Sequence, residues 1–352
     1  MKIIHTADIH LGSRLTSIKD LKLRDQLRVN ARKSFVDLVK FAENNKVDAI
    51  LLSGDIFDKD SPSANDKKVF YDTIKSYENI TFFYLKGNHD LMAIDDEELP
   101  NLKTFKDEWT SFQFKDVVIS GVELNNVNNK AIYQSLNLNK DDINIVLLHG
   151  AIEGRKEGQS IDLNKLKNKN IDYLALGHIH QKSNGKLDER GQYVYPGCLI
   201  AHGYDEDGDV GFYLLDIDDK KITSQFIKWG ENKFHNVDVD ISDASTTNEI
   251  EKDIESKTDI YPNDSFVHVN LVGTIDPSLI IDIELLKLHF ENKFKEFVIK
   301  DRVKYKTIIN ENDNVYSFRK IFMDKVNEAD LDEETKNEII SLGLKAMKGE
   351  LH

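Results

Sequence analysis

Short clusters of histidine, aspartate and asparagine follow five separate apolar runs in this sequence. After the run Tyr173-Leu-Ala-Leu-Gly177, two histidines stand one residue apart. If the run is a buried strand, alternation along an extended backbone points His178 and His180 to the same side. A lone His-x-His pair is often an ordinary surface feature, but here four other runs end in the same way. The polar residues that follow the five runs are Asp8 and His10, Asp55, Asn88 and His89, His149, and His178 and His180.

These side chains have the chemistry of metal ligands. Carboxylate, imidazole and amide oxygen suit a borderline divalent ion such as manganese or zinc. In α/β sheets, sites gather outside the carboxyl ends of the strands, which is where the clusters fall. The set is larger than one ion needs, whereas two ions about 3.5–4 Å apart with a shared carboxylate would use it well. Two such ions share a hydroxide nucleophile and neutralise a phosphodiester in its transition state, so the pattern predicts two-metal phosphoester chemistry.

The elements that must position the clusters alternate between strands and helices, and a run of further strands follows. This order predicts an α/β sandwich of two β-sheets flanked by helices over residues 1–230. Residues 13–34 are predicted to form a helix, because Leu23, Leu27, Ala31 and Phe35 repeat every four residues. Its other face is basic. Arg14, Lys19 and Arg24 on that face either bind phosphate or are merely solvated.

The pattern changes near Gly230, where we place a boundary. Residues 231–310 are predicted to form a small α/β cap of β-α-β-α-β order. Its last predicted strand, 297–309, has apolar odd positions, and its other face forms a basic stripe that is either solvated or in contact with a nucleic-acid backbone. The stripe consists of Lys300, Arg302, Lys304 and Lys306. The apolar stripes within residues 311–352 predict two amphipathic helices, which either dock on the cap or present a surface to a partner.

Composition limits the protein class. The 352 residues are 40% hydrophobic and 31% charged, which is typical of a globular protein. No apolar run is long enough to cross a bilayer, and a strand pattern begins at once, so we expect neither a membrane span nor a signal peptide. The single cysteine, Cys198, and the expected lack of an export signal point to the cytoplasm. A net charge of −15 argues against a protein that coats nucleic acid nonspecifically.

Five motifs in order resemble the calcineurin-like metallophosphoesterases. They read Asp8-x-His10, Gly54-Asp55-x-x-Asp58, Gly87-Asn88-His89-Asp90, His149-Gly150 and Gly177-His178-x-His180. Within that superfamily, the stretches 5–12 and 195–198 are similar to the DNA double-strand-break repair nucleases. The resemblance covers residues 1 to about 230 by motif and the remainder only by layout. It implies a four-layer metallophosphoesterase sandwich, with a DNA-binding cap and a terminal segment for a partner.

The resemblance also implies a role for each site residue. One metal ion is assigned to Asp8, His10, Asp55 and His180, and the second to Asn88, His149 and His178, with Asp55 as the bridge. His89 is the catalytic residue, which orients the phosphate or protonates the leaving 3′-oxygen. Two supporting residues are expected. Asp90 is expected to fix the tautomer of His89, and Asp58 stands where archaeal and eukaryotic relatives carry a second histidine.

The implied activity is that of a manganese-dependent DNA nuclease, with 3′→5′ exonuclease and single-strand endonuclease activities. Such nucleases work as dimers with an ABC-type ATPase that carries a long coiled coil, so a homodimer within a heterotetramer is expected. This sequence has no Gly-x-x-x-x-Gly-Lys-Ser/Thr loop, so ATP use would belong to the other protein of the complex. The terminal helices match by position the ATPase-binding segment, and the helix at 63–77 is a candidate dimer contact.

Two alternatives accompany this interpretation. The first is an enzyme of the same superfamily that cleaves cyclic nucleotides or small phosphoesters, although the cap with its basic stripe favours a polymer. The second is a non-catalytic scaffold of the same fold that has lost its metals. A scaffold predicts missing ligands and a replaced His89, and in this sequence all eight positions are filled.

Overall fold

The computed structural model describes residues 1–58, 62–90, 99–152, 160–219, 221–230, 233–276, 279, 281–305 and 318–347. The chain divides into two compact units, Met1–Asn232 and Lys233–His352. Among the described residues, none of the helices combines the length and the apolar character needed to cross a membrane.

The first unit alternates strands and helices and then continues in strands. Its elements are β1 (Lys2–Thr6), α1 (Leu21–Asn44), β2 (Ala49–Ser53), α2 (Ala64–Ser76), β3 (Thr81–Leu85), β4 (Leu102–Thr104), β5 (Thr110–Phe114), β6 (Val117–Gly121), α3 (Ile132–Ser135), β7 (Ile143–His149), β8 (Ala151–Ile152), β9 (Ser160–Ile161), α4 (Leu163–Leu166), β10 (Tyr173–Gly177), β11 (Ser183–Lys186), β12 (Gln192–Tyr195), β13 (Gly211–Asp218) and β14 (Lys221–Lys228).

Two six-stranded sheets form the centre of this unit. One has the order β14-β13-β1-β2-β3-β4, and the other has the order β11-β12-β10-β7-β6-β5. The strands β1 to β4 are parallel in the first sheet, and β6, β7, β10 and β12 are parallel in the second. The parallel strands of each sheet therefore deliver their carboxyl ends to one edge.

Alternation along the strands produces the layers. Ile3 and Ile145 belong to an apolar core that contains residues of both sheets. Ile4, the next residue in β1, belongs to the core shared with α1 and α2. Val146 lies correspondingly in the core shared with α3 and α4. The two sheets thus pack between layers of helices, which confirms the predicted sandwich.

The first helix begins later than the pattern predicted. It starts at Leu21 because the Asp20 side chain accepts the backbone N–H groups of Lys22 and Leu23, and residues 13–20 form a loop. Arginines of the supposed basic face hold this loop. Arg28 donates from Nε to the Ser13 carbonyl at 2.9 Å.

Arg24 also contacts this loop, and its role in phosphate binding stays a prediction. The Nε of Arg24 donates to the carbonyl of Ile18, so this guanidinium fastens the loop to the helix. Arg14 and Lys19 lie on the loop itself and are exposed.

The exposed face of α2 is polar. Phe70 and Ile74 are buried against the first sheet, whereas Lys68 and Asp72 are exposed and form an ion pair at 2.9 Å. This helix therefore offers charged side chains rather than an apolar face to a second copy, and the dimer contact at 63–77 stays a prediction.

The second unit has β-α-β-α-β order followed by two helices. Its elements are β15 (Phe234–Asp240), α5 (Thr247–Thr258), β16 (Phe266–Val272), β17 (Thr274–Ile275), α6 (Ile283–Phe290), β18 (Glu296–Asp301), β19 (Lys304–Tyr305), α7 (Phe318–Asn327) and α8 (Glu333–Met347). Strands β15, β16 and β18 form a parallel sheet.

The predicted strand at 297–309 is divided. It breaks between β18 and β19, and β19 pairs with β17 in a separate sheet. Lys300, Arg302 and Lys304 are exposed, in agreement with the predicted alternation. Lys306 lies outside the described residues.

The terminal helices pack in part on the core of the second unit. Met323, Val326 and Ile340 are buried in one apolar cluster with residues of its strands. Ile321 and Leu342 remain 49% and 55% exposed. The buried side chains agree with helices that dock on the cap. The exposed apolar side chains agree with a surface for a partner, so both alternatives stay open.

Candidate metal centre

The predicted ligands come from strand ends of both sheets. Asp8 follows β1, Asp55 follows β2, and Asn88 and His89 follow β3 in the first sheet. In the second sheet, His149 ends β7 and His178 follows β10. The two sets meet because the sheets face each other across a shared core.

The backbone turns sharply where it leaves these strands. Asp8, His10 and Asp55 have φ values of 50°, 48° and 52°, and His178 has 99°. Positive φ is uncommon for residues other than glycine, and such conformations concentrate at functional sites. The turns redirect each side chain away from the regular alternation of its strand.

Glycines at two strand ends let the sheets approach closely. A Cβ at Gly177 would lie 1.9 Å from the Ser53 carbonyl, and a Cβ at Gly54 would lie 2.1 Å from Nδ1 of His149. Gly54 also has a φ of 94°, which favours glycine. The space occupied by His149 therefore exists only because these positions lack a side chain.

One group of potential ligands consists of Asp8, His10 and His180. One ligand atom from each lies within 4.8 Å of the others. The Nε2 atoms of the two histidines are 3.1 Å apart. Asp8 is fully buried, and its two carboxylate oxygens accept the backbone N–H of His178 at 3.0 Å.

A second group consists of Asp55, His149 and His178, within the same 4.8 Å limit. Oδ2 of Asp55 lies 3.1 Å from Nε2 of His149. The Asn88 side-chain oxygen lies 3.1 Å from both Nε2 of His149 and Nδ1 of His178. Carboxylate, imidazole and amide oxygen converge at this distance in the way that a borderline divalent ion requires, so the donor set fits such an ion.

The His-x-His pair does not behave as a simple alternating pair. The strand ends at Gly177, and the φ of His178 turns the chain at that point. His178 belongs to the group with Asp55, and His180 belongs to the group with Asp8. This division of the two rings between two groups matches the assignment that the resemblance implies.

His89 lies beside the first group. Its ring centroid is 5.0 Å from that of His10, and its backbone N–H donates to Oδ1 of Asp55 at 2.8 Å. Nδ1 of His89 lies 3.1 Å from Oδ1 of Asp58. Asp58 therefore orients this imidazole through Nδ1.

The expected role of Asp90 is wrong. Its buried carboxylate accepts the backbone N–H groups of Phe57 at 2.8 Å, Gly87 at 2.9 Å and Ile56 at 3.3 Å. These amides belong to the loops after β2 and β3. Asp90 thus ties the two ligand-bearing loops together, because neighbouring N–H groups need an acceptor once they are buried.

Charge coupling within the site raises the pKa of two ligand imidazoles. Burial lowers the pKa of His149, but the Asp55 and Asp8 carboxylates outweigh it and raise the value to about 9. Burial also lowers the pKa of His180. The hydrogen bond with Glu206 and the charge of Asp8 outweigh this effect and raise the pKa to about 9. Both rings are therefore protonated at neutral pH in the metal-free protein.

Sequence reasoning missed Glu206 and His202. Oε1 of Glu206 lies 2.6 Å from Nδ1 of His180, and Nε2 of His202 lies 3.0 Å from the Ile9 carbonyl. No motif or strand end marks either residue. The acid stands 26 positions after its histidine, and only the folded geometry brings the two together.

A cleft of about 500 Å³ opens beside Asp58 and Glu206. The loop 13–17, which includes Arg14, forms one wall, and residues 202–206 form another. Lys300, Arg302 and Lys304 belong to the second unit, which is described separately from this site.

The sequence profile of the calcineurin-like phosphoesterases matches residues 1–182. Because this is more than half of the chain and the ligand groups lie in the expected order, the chain belongs to that family. It is a hydrolase that acts on phosphoester bonds. The family uses a dimetal centre, and the two groups above are its candidate ligands in this chain.

Several relatives are similar to this chain over most of its sequence. The uncharacterized metallophosphoesterase YhaO of Bacillus subtilis is 26% identical over 69% of this chain and 64% of its own length. The DNA double-strand break repair protein Mre11 of Aeropyrum pernix is 22% identical over 70% of this chain and 65% of its own. The SbcD component of the nuclease SbcCD of Staphylococcus epidermidis is 26% identical over 64% of this chain and 68% of its own. The matches thus span about two thirds of the length of these relatives.

Replacing Asp90 with alanine should destabilise the protein. The change leaves three buried N–H groups without their acceptor, and the expected loss is about 3 kcal/mol in the free energy of unfolding. Urea denaturation would measure it. Asp216→Ala, at an exposed position of β13, is the control and should change stability by less than about 0.5 kcal/mol. Equal stability of the two variants would contradict the role of Asp90.

Metal binding at neutral pH should release protons. Ligands bind in their deprotonated form, so the ion displaces protons from His149 and His180 and, at pH 7, in part from Asp8, because burial raises the pKa of Asp8 to about 7. His10 contributes none, because burial lowers its pKa to about 3. The apparent affinity for Mn²⁺ should therefore rise as pH increases from 7 to 9. Calorimetric titration in buffers of different ionisation enthalpy counts the protons, and a heat independent of the buffer would contradict the expectation.

Proposed function

We propose that this chain is a manganese-dependent DNA nuclease of double-strand-break repair, with 3′→5′ exonuclease and single-strand endonuclease activities. The observation that carries the proposal is the meeting of two ligand groups beside His89. Asp8, His10 and His180 would hold one ion, and Asn88, His149 and His178 the other. Asp55 is proposed to bridge them.

The bound ions would supply a hydroxide nucleophile and neutralise charge on the phosphodiester. The remaining chemistry belongs to His89. Its ring is held by Asp58 at Nδ1, so Nε2 is the atom that faces a phosphate oxygen or donates a proton to the leaving 3′-oxygen. The Asp58 carboxylate stabilises the doubly protonated ring, which is the form that carries a proton on Nε2 for the leaving oxygen.

Two observations support DNA as the substrate. The relatives include proteins named for DNA double-strand break repair and for nuclease activity. The cleft beside the site has a volume of about 500 Å³, which suits a nucleotide better than an inorganic phosphate. Exposed Lys300, Arg302 and Lys304 are proposed to contact the DNA backbone, since phosphate contacts provide sequence-independent affinity.

His89→Ala should lower cleavage of a single-stranded DNA oligonucleotide in Mn²⁺ by about 10²–10⁴-fold. It should leave the number of bound Mn²⁺ ions unchanged, because the ring is not assigned as a ligand. Asp58→Asn should lower cleavage in the same direction. The matched control is His289→Ala on α6, at a solvent-accessible histidine far along the chain, which should cleave like the wild type.

The same assay tests the substrate class. A small chromogenic phosphodiester and a cyclic nucleotide are measured beside the oligonucleotide. We expect the highest kcat/KM with DNA. Preference for either small substrate would replace the nuclease proposal with a small-molecule phosphodiesterase, and wild-type protein inactive on all three would remove the catalytic proposal.

We also propose a partner, an ABC-type ATPase with a coiled coil, bound in a heterotetramer of two nuclease and two ATPase chains. The terminal helices would provide the contact. Ile321 on α7 and Leu342 on α8 are large apolar side chains at the surface. Their exposure supports an interface, because a partner helix would cover them.

The double variant Ile321→Asp, Leu342→Asp should lose co-purification with the ATPase. It should keep manganese-dependent cleavage, because the buried residues Met323, Val326 and Ile340 that anchor the helices are unchanged. Removing both helices would be a poorer test, since it would uncover the apolar core of the second unit. Val127→Asp, at a side chain 90% exposed in the first unit, is the control. Retention of the ATPase by the double variant would contradict this surface.

A further inference from the structure

One short segment, residues 198–206, holds His180 at two points. The backbone N–H and Sγ of Cys198 both donate to the His180 carbonyl, at 3.1 and 3.2 Å. At the other end of the segment, Oε1 of Glu206 lies 2.6 Å from Nδ1 of the His180 ring. The main chain and the imidazole are thus fixed by the same stretch of chain.

Glu206 is itself fixed. Its side chain is 5% exposed, and its second carboxylate oxygen accepts the backbone N–H of His202. The His202 ring in turn reaches the Ile9 carbonyl at 3.0 Å, between Asp8 and His10. The carboxylate therefore cannot swing away from the imidazole without breaking contacts that anchor the segment.

This contact decides which nitrogen of His180 is available. A carboxylate oxygen at 2.6 Å accepts a hydrogen bond from Nδ1–H, so the proton that the ring gives up to a metal ion leaves from Nε2, the atom 3.1 Å from Nε2 of His10. A carboxylate behind a ligating histidine fixes its tautomer and raises its basicity. The corresponding atom of His149, Nδ1, instead faces the neutral carbonyl of Ser53 at 2.9 Å.

The two ligand groups therefore differ in what stands behind their histidines. We propose that Glu206 is a positioning residue that sets the metal affinity of the Asp8, His10 and His180 group independently of the group around His149. The inference rests on the two-metal site of the proposed function. It adds a residue outside the recognised motifs. It also means that one metal site depends on a buried carboxylate behind its histidine and the other does not.

The test is a titration of the intact protein with Mn²⁺ alone, followed by the electron paramagnetic resonance signal of the free ion. Wild type should bind two ions. Glu206→Gln keeps the size of the side chain but removes its charge, and it should weaken one of the two sites by about 10–100-fold. Glu206→Asp keeps the charge on a shorter arm and should fall between the two. The matched control is Asp207→Asn, an exposed acid in the same loop, which should bind like the wild type.

Cleavage provides a second readout. With Glu206→Gln, the Mn²⁺ concentration for half-maximal activity should rise by the same factor, and kcat should recover at saturating Mn²⁺. Should the Gln variant fail to fold in a thermal denaturation scan, Glu206→Asp carries the test, with the same single weakened site expected. Two unchanged sites, or two sites weakened equally, would overturn the inference. A wild type that binds two ions yet leaves DNA intact would remove the proposed function and not this inference.

Discussion

The structure depends on the meeting of strand ends from two sheets at one edge of a sandwich. Each sheet is parallel at its centre, so its carboxyl ends collect side chains at a common edge. The shared apolar core then holds the two edges in register across the gap. Buried carboxylates and imidazoles placed this close are unfavourable unless they are paired or bind metal, so the fold itself favours ion binding.

Close approach is the second requirement. Gly54 and Gly177 leave room for the His149 ring, and a Cβ at Gly87 would lie 2.1 Å from Oδ1 of Asp55. Asp90 then ties the loops after β2 and β3 through three backbone amides. The glycines and this carboxylate bind no substrate, yet they determine where the ligand atoms stand.

Much of the site could be predicted from the sequence because its signals are local. A strand end, a glycine and a polar residue within four positions define each ligand, and the structure brings Asp8, His10, Asp55, His149 and the His178–His180 pair into two groups. Partners remote in the sequence carry no such signal. Asp90 was expected to be the partner of His89 because the two are adjacent in the sequence, whereas the fold brings Asp58, 31 positions away, to the His89 ring. Glu206 was missed for the same reason.

The helical elements show the same limit. Periodicity predicted a basic helix from residue 13, but tertiary contacts of Arg24 and Arg28 hold that stretch as a loop. The terminal helices were predicted from their apolar stripes. Which stripe is buried depends on packing such as the close approach of Gly343 to the Phe322 ring, which no sequence pattern reveals.

The central claim is that two ions share this edge of the sandwich. The most direct measurement is anomalous diffraction at the manganese absorption edge from crystals grown with Mn²⁺. The account predicts two peaks about 3.5–4 Å apart, one beside His10 and His180, the other beside His149 and His178, with Asp55 between them. A single peak, or a peak on the far side of His180 against Glu206, would contradict it.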